Sequence, residues 1–204
     1  SIRRQRQMCI RDSHGESLGN RGLWGKMTMY EDSASIPLII KGPNFSRGEI
    51  CQTPVTLIDL YPTIFDILSL HSIQNDTEID GKSLRLIANE AYDKDRSIIS
   101  EYHGAGSYGG AFMLRMGDYK YIYYVGHQSE VFDIKNDPDE KQNLAGDPSF
   151  RSLVDGLDKA LRSVIDPEKV DKAARSDQRK MLEDVGGIDF VLNRGNYAGT
   201  PVGS

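Results

Sequence analysis

Two residues near the start of the chain, His14 and Lys26, have the types and spacing of a site for a cation and an anion. His14 lies in a Ser-His-Gly-Glu stretch at residues 13–16, where glycine lets the backbone approach a ligand closely. A neutral imidazole can give a ring nitrogen to a divalent cation, and a lysine ammonium can bind the oxygens of sulfate or phosphate. Each residue also has a structural explanation, as a turn histidine or as a solvated surface lysine.

The sequence around these two residues resembles a known family. Residues 13–43 are similar to the back half of the catalytic domain of type I sulfatases in the alkaline-phosphatase superfamily, and most similar to its choline-sulfatase-like branch. That family has Ser-Asp-His-Gly-Glu followed by Gly-Leu-Trp-Gly-Lys, and the second pattern stands here at residues 22–26. The resemblance implies that His14 binds a metal ion and that Lys26 contacts the sulfate as a catalytic and substrate-binding residue. Ser13 stands at the position of the second metal ligand, where the family has aspartate.

The first twelve residues offer an explanation for that serine. They contain Arg-Arg-Gln-Arg-Gln-Met-Cys-Ile-Arg-Asp, have no apolar period, and resemble the read-through translation of a sequencing adapter. We therefore leave residues 1–12 out of the fold prediction as an adapter-derived segment. An adapter that ends in the bases AG would turn an aspartate codon into a serine codon at the junction, which makes Ser13 a truncated aspartate under this hypothesis.

The resemblance implies a sulfate-ester hydrolase with a divalent metal ion, calcium first and manganese as the alternative. Its nucleophile is a formylglycine made from a Cys/Ser-x-Pro-x-Arg motif, and no such motif occurs here; the stretch that begins at Cys51 lacks the arginine. We expect the chain to be a C-terminal sulfatase fragment that is inactive alone. Two alternatives stay open: a phosphonate or phosphodiester hydrolase of the same superfamily, and a non-catalytic assembly module built on a tyrosine-rich hairpin.

The amino-acid composition restricts the classes of binding partner that this chain could have. The formal net charge is −5, and it becomes −8 once the four arginines and one aspartate of residues 1–12 are left out, so nucleic acid is not an expected partner. No apolar run approaches the length of a membrane helix, which predicts no membrane partner. The two cysteines give no disulfide framework and no zinc pattern. A small sulfate ester is the expected ligand, and the compartment stays open, with the cytoplasm slightly favoured over the periplasm.

The pattern of apolar residues predicts an α/β fold. Residues 13–95 should form the C-terminal part of an alkaline-phosphatase-like sandwich. In this part, residues 36–43 read as a strand that is buried on both faces. A helix should begin at Thr53 and Pro54 and pack an apolar stripe on the central sheet. The Asp-Leu-Tyr-Pro-Thr signature of the family stands within it, at residues 59–63.

Residues 96–165 are predicted to form a small antiparallel α+β subdomain, and residues 166–204 a helical and extended tail. Strands are expected at residues 97–102, 111–116, 119–125 and 131–134, with a type II′ turn beginning at Gly117. The strand period places Phe112, Leu114 and Met116 on one face, and the tyrosines at 119, 121 and 123 on another. An amphipathic helix is expected at residues 148–165. By resemblance, the extended tail could contact another subunit and form a homo-oligomer.

His103 is the third candidate for the site. It follows the first of these strands and opens a glycine-rich loop at residues 103–110, so it either borders the substrate pocket or forms hydrogen bonds within its own loop. Residues 130–145 resemble the C-terminal signature of sulfatases, in which Asp-Pro-x-Glu-x-x-Asn-Leu-Ala follows a strand. The residue types of this signature indicate no chemical role.

Overall fold

The computed structural model describes residues 8–11, 13–70, 80–104 and 107–193. Within these ranges it is a mixed helix and strand structure, as the sequence predicted, and none of the helices has both the length and the apolar character to span a bilayer. The strands are β1 (Met8–Arg11), β2 (Leu38–Lys41), β3 (Ser97–Tyr102), β4 (Ala111–Met116), β5 (Tyr119–Tyr124) and β6 (Glu130–Asp133). The helices are α1 (Glu31–Ala34), α2 (Leu60–Ile67), α3 (Leu84–Asn89), α4 (Arg151–Val164), α5 (Pro167–Asp184) and α6 (Gly187–Asn193).

The centre of the structure is the antiparallel sheet β3-β4-β5-β6. Strands β4 and β5 form the predicted hairpin, in which Met116 pairs with Tyr119. Gly117 has a φ of +55°, and Asp118 is not among the residues with positive φ, as a type II′ turn requires. The turn therefore sets the register of the sheet.

The two faces of this sheet are covered by different parts of the chain. Residues paired directly across antiparallel strands point to the same side, and Phe112 pairs with Tyr123 while Leu114 pairs with Tyr121. The prediction that the tyrosines occupy a different face from Phe112 and Leu114 was therefore wrong. Both sets form one face, which packs against the buried Leu157 of α4, and we call it the helix-side face.

The opposite face, which we call the motif-side face, carries Ala111, Met113, Ile122 and Phe132. It packs against Met29, which is 3% exposed, and against Tyr30 and Ala34. These last three residues belong to residues 13–35, which we call the motif segment. The sheet thus separates the helices from the motif segment, and the candidate site lies on the second side.

The strand predicted at residues 36–43 exists as β2, but its burial differs from the prediction. Its exposure alternates, and Ile39 is 59% exposed, because β2 belongs to a two-stranded sheet instead of a buried central one. Its partner β1 lies in the range that the sequence analysis left out. An open strand edge pairs through backbone groups with little regard to sequence, which explains how that range forms a strand.

Helix α2 also departs from the prediction. It begins at Leu60, after a 3-10 turn at Leu57–Asp59, and the cap is a reciprocal pair of hydrogen bonds between Thr56 and Asp59. Its apolar stripe does not pack on a sheet, since Tyr61 and Ile64 are about half exposed. The stripe is open to solvent instead.

Asp59, the first residue of the Asp-Leu-Tyr-Pro-Thr signature, is fully buried. It accepts hydrogen bonds from Nη2 of Arg96 at 2.7 and 2.8 Å and from the backbone N–H groups of Thr56 and Lys82. A buried carboxylate needs this full set of donors, because desolvation disfavours its charged form. The pair ties the chain before α2 to the start of β3, and so joins the two predicted parts of the fold.

Replacing Asp59 with alanine should lower the free energy of unfolding by about 3–5 kcal/mol, because it leaves the Arg96 guanidinium and two backbone N–H groups without an acceptor. Urea denaturation followed by circular dichroism measures the change. The exposed Asp177 on α5 is the matched control, and Asp177→Ala should change stability by less than about 0.5 kcal/mol. Equal losses in both variants would contradict the structural role of Asp59.

The tyrosines that contact Glu130 predict a loss of stability at high pH. The hydroxyls of Tyr30 and Tyr124 donate to Glu130. Burial of the two hydroxyls is the larger cause, and the negative charge of Glu130 the next, that raises the pKa of Tyr30 to about 12 and the pKa of Tyr124 further. The ordinary tyrosine pKa is 10.0. The contribution of the protonated Tyr30 hydroxyl to the free energy of unfolding is therefore complete below pH 10 and is lost as the pH rises through about 12. Urea denaturation between pH 8 and pH 12 should show this loss, and Tyr30→Phe should reduce it. An unchanged loss in that variant would count against the assignment.

Candidate functional site

His14 and Lys26, which the sequence placed in one site, lie in direct contact. The ammonium of Lys26 is 2.9 Å from Nε2 of His14, and both side chains are exposed. Nδ1 of His14 lies 2.9 Å from the carbonyl oxygen of Gly15, which assigns the ring proton to Nδ1 and leaves the Nε2 lone pair to accept from Lys26. The structure thus brings an imidazole lone pair and an ammonium into direct contact at an open surface.

A closed loop connects these two residues, which are twelve positions apart. The backbone N–H of Ser17 donates to the carbonyl of Gly25 at 2.9 Å, and the N–H of Gly19 donates to the carbonyl of Leu23 at 2.9 Å. Gly25 has a φ of +91°, a conformation that glycine adopts without a steric penalty. These contacts return the chain to its starting point, so Lys26 faces the residue that precedes the loop.

The one-turn helix α1 supports both sides of the pair. The N–H of Gly15 donates to the carbonyl of Ser33 at 2.8 Å, and a side chain at position 15 would collide with the carbonyl of Asp32. The hydroxyl of Thr28, two residues after Lys26, donates to the hydroxyl of Ser33 at 3.0 Å. Glycine at position 15 is therefore required for the turn that carries His14 to pack on α1.

Lys120 of β5 anchors the start of α1 to the sheet. Its side chain is fully buried on the motif-side face, where its ammonium donates to the carbonyl of Met29 at 3.0 Å and forms ion pairs with Glu31 and, at 2.8 Å, with Glu140. The second carboxylate oxygen of Glu140 accepts from the backbone N–H of Glu31 at 2.7 Å. One buried cation and two carboxylates thus connect the motif segment to the subdomain that follows it.

The loop between His14 and Lys26 is attached to the same region. The guanidinium of Arg21 donates to the backbone carbonyls of Asp139 and, at 2.6 Å, Glu140. It also lies 4.2 Å from the ring centroid of Tyr30, the distance of a cation–π contact. The turn at residues 139–140 therefore contacts the motif segment at two places, Arg21 and Glu31.

Ser13, the predicted second metal position, lines a cavity of about 390 Å³ between the motif segment and the sheet. Its other walls include the apolar Leu38 and Ile99, and also Arg115, whose Nη1 is buried without a hydrogen-bond partner among the described residues. A second cavity, of about 350 Å³, lies beside Met27 and is bounded by tyrosines and an imidazole. These tyrosines and the imidazole are Tyr102, Tyr108, Tyr124 and His127.

The third predicted site residue, His103, belongs to a different environment. Its ring packs edge-on against Phe112 of the helix-side face, with the centroids 5.2 Å apart, and its carbonyl accepts from Gln178 of α5 at 2.6 Å. Its Nε2 lies 3.5 Å from a carboxylate oxygen of Glu101. The structure does not join His103 to His14 and Lys26, and its substrate-binding role stays a prediction.

The donors in the described ranges do not form a complete metal site. Within the described ranges, three or more His, Cys, Asp or Glu side chains nowhere converge on a point that could hold a metal ion. His14 offers one nitrogen, which already accepts from Lys26, and Ser13 offers a hydroxyl where a carboxylate is expected. Calcium takes six to eight oxygen ligands, so these two residues could supply only part of its coordination.

Lys120 and Glu140 were not predicted from the sequence as residues that support the site. The strand period did place Lys120 on the same face as Ile122, and a lysine on an apolar face is a signal for a buried ion pair. Glu140 stood in the Asp-Pro-x-Glu signature, but the sequence did not indicate what it contacts. Both residues contact Glu31 only through tertiary structure.

Comparison with known proteins supports the resemblance to sulfatases. The sequence model of the family described as N-sulphoglucosamine sulphohydrolase, C-terminal, matches residues 19–167. Arylsulfatase K of Xenopus laevis is 37% identical over 169 residues, which cover 77% of this chain and 31% of that protein. The chain therefore spans about a third of the length of this curated relative.

Solved structures share the fold. A 2-O GAG sulfatase superposes with a TM-score of 0.67 and 26% identity, over 85% of this chain and 38% of that chain. The phosphonate monoester hydrolase SpPMH from Silicibacter pomeroyi superposes with a TM-score of 0.61 and 28% identity, over 77% of this chain and 34% of that chain. Because the family model matches most of its length, the chain belongs to the type I sulfatase family and corresponds to the C-terminal part of its members.

Proposed function

We propose that this chain is the C-terminal part of a sulfuric ester hydrolase, in which Lys26 binds the sulfate and His14 is a ligand of a divalent metal ion. The observation that carries the proposal is the 2.9 Å contact between these two side chains at an open surface. The closed loop brings the two residues together, and their types are those that bind a divalent cation and a sulfate.

The chemistry of Lys26 follows from its charge. In sulfuryl transfer, negative charge is spread over the sulfate oxygens, and an ammonium held beside them stabilises the transition state more than the ground state. Its exposure leaves it accessible to a substrate. The cavity that begins at Met27, the next residue, offers room for the alcohol portion of the ester. A sulfated sugar suits it, in keeping with the 2-O GAG sulfatase that shares the fold.

The metal ion belongs to the proposal as a divalent cation, with calcium favoured and manganese as the alternative. When bound, such an ion polarises the ester oxygen. His14 would contribute Nε2, and position 13 would contribute an oxygen, through Ser13 or through the aspartate that the adapter hypothesis places there. The remaining ligands and the nucleophile would come from the part of the protein outside this chain.

The exposed apolar surface supports a larger protein. Around α2, Ile58, Tyr61, Ile64 and Leu68 are each more than half exposed, which is unusual for one contiguous helix face. The cavity beside Ser13 has both apolar and polar walls, and one of the polar groups is the buried Nη1 of Arg115, which has no acceptor among the described residues. We propose that the rest of the sulfatase polypeptide covers the α2 face and supplies that acceptor.

The family branch and the alternative functions predicted from the sequence have less support than the sulfatase assignment. The choline-sulfatase-like branch has no support among the relatives reported above, and a phosphonate hydrolase or an assembly module is less well supported than a sulfatase, since the curated relative is an arylsulfatase. The domain boundary after residue 95 stays a proposal. The tail proposed for oligomer contacts lies outside the described residues beyond residue 193.

Replacing Lys26 with methionine in the complete protein should lower kcat/KM for 4-nitrophenyl sulfate by about 100- to 1,000-fold, because a charge that stabilises the transition state is removed. Initial-rate kinetics measures the change, and Lys180→Met, at an exposed lysine of α5, is the matched control. The 204-residue chain alone should give no turnover. Turnover by the chain alone, or an unchanged rate for Lys26→Met, would contradict the proposal. Preference for a phosphonate ester over the sulfate would favour the alternative hydrolase.

The isolated chain should bind the hydrophobic dye ANS through the α2 face. Replacing both Tyr61 and Ile64 with serine should reduce the dye fluorescence with little loss of stability, because these side chains are exposed. Met181→Ser, at an apolar residue that is 67% exposed on α5, is the control and should leave most of the fluorescence. Equal effects of the two changes would argue against a distinct covered surface at α2.

A further inference from the structure

Glu140 is a buried acid in an unusual backbone conformation. Its side chain is 3% exposed, and its φ is +52°, in the left-handed region that disfavours residues other than glycine. A turn that needed only this conformation would be better served by glycine. The presence of glutamate at this position therefore indicates that its carboxylate has a task.

The contacts of that carboxylate identify the task. One oxygen lies 2.8 Å from the ammonium of Lys120, and the other accepts from the backbone N–H of Glu31 at 2.7 Å. Lys120 in turn forms an ion pair with the Glu31 side chain and donates to the carbonyl of Met29. Glu140 thus holds both the backbone and, through Lys120, the side chain of the first residue of α1.

Helix α1 transmits this position to the reactive pair. Its Ser33 carbonyl accepts from the N–H of Gly15, next to His14, and its Ser33 hydroxyl accepts from Thr28, two residues after Lys26. A helix of four residues is not stable in isolation, so α1 depends on tertiary contacts for its formation. Its location is set by the residues that hold it.

We propose that Glu140, acting with Lys120, is a positioning residue for the site. It fixes α1 on the motif-side face of the sheet and thereby sets the contact between Lys26 and His14. The expected effect of Glu140 on catalysis rests on the proposed function. Its expected effect on the contact between Lys26 and His14 concerns this chain alone. Glu140 touches neither of the two reactive side chains in the contacts described above, so its effect on them is indirect.

The test uses the 204-residue chain and the ¹⁵N chemical shift of the His14 Nε2, which reports whether that nitrogen accepts a hydrogen bond. His14→Gln assigns the signal among the four histidines, and Lys26→Met gives its value without the lysine partner. Two variants test the proposal. Glu140→Gln removes the charge, and Glu140→Gly removes the side chain while suiting the positive φ.

The matched control is Asp59→Asn. Asp59 is also a fully buried carboxylate that pairs with a cation and with backbone N–H groups, but its partners are Thr56, Lys82 and Arg96, outside the motif segment. A loss of general stability would affect both sites alike. Only a positioning role predicts an effect on His14 from Glu140 and none from Asp59.

We expect both Glu140 variants to move the His14 signal toward the Lys26→Met value, and Asp59→Asn to leave it at the wild-type value. The proposal is overturned if the Glu140 variants leave the signal unchanged, or if Asp59→Asn moves it equally. It is also overturned if Lys26→Met itself has no effect, because the contact to be positioned would then not exist in solution.

In the complete protein, Glu140→Gln should lower kcat/KM for a sulfate ester by about 10-fold or more, and Asp59→Asn should not. The two kinds of failure are distinguishable. If Lys26→Met leaves the activity intact, the proposed function fails whatever the signal of His14 shows. If Lys26→Met abolishes activity while Glu140→Gln changes neither rate nor signal, only the positioning role fails.

Discussion

The buried ammonium of Lys120 is the constraint on which the rest of the site depends. A charge that is withdrawn from water is tolerated only when other groups replace its hydration, and here these are two carboxylates and a carbonyl. The strand β5 fixes Lys120, so the groups that pair with it must come to the sheet. Because Glu31 and Met29 belong to the motif segment, satisfying this single charge brings that segment to the motif-side face.

The local elements of the motif segment are too weak to do this alone. Helix α1 has four residues, and the 3-10 turn at Asn20–Gly22 contains Arg21 in a positive-φ conformation. Such pieces gain their stability from tertiary contacts more than from intrinsic helix formation. The four-stranded sheet, whose register is set by short connections, is the rigid element, and the irregular segment takes its shape from it.

Much of the sheet could be predicted from the sequence, because period-two patterns and a Gly-Asp turn are local signals. Strands β3 and β4 were predicted at their observed bounds, and β5 and α4 nearly so. The burial of β2 and the packing of α2 could not be predicted, since β2 pairs with a segment that was left out of the prediction and the apolar stripe of α2 is exposed in this chain. The pairing of Tyr121 with Leu114 on one face was misjudged because strand register, and not the period alone, decides which side chains share a face. The contact between His14 and Lys26 was predicted through resemblance, whereas the support from Lys120 and Glu140 joins residues about ninety or more positions away and leaves no local pattern.

The two residues of the candidate site are also hydrogen-bonded to each other. The lone pair of His14 Nε2 that would bind a metal ion is the one that accepts from Lys26, and a single lone pair cannot serve both. The contact therefore describes the two residues when they have only each other as partners. A cation at His14 and an oxyanion at Lys26 would each compete with it, and they would do so together, because the repulsion between ammonium and cation is relieved by an anion that lies between them. Because the two side chains lie close together, a bound cation and a bound sulfate would support one another once the hydrogen bond between Lys26 and His14 has opened.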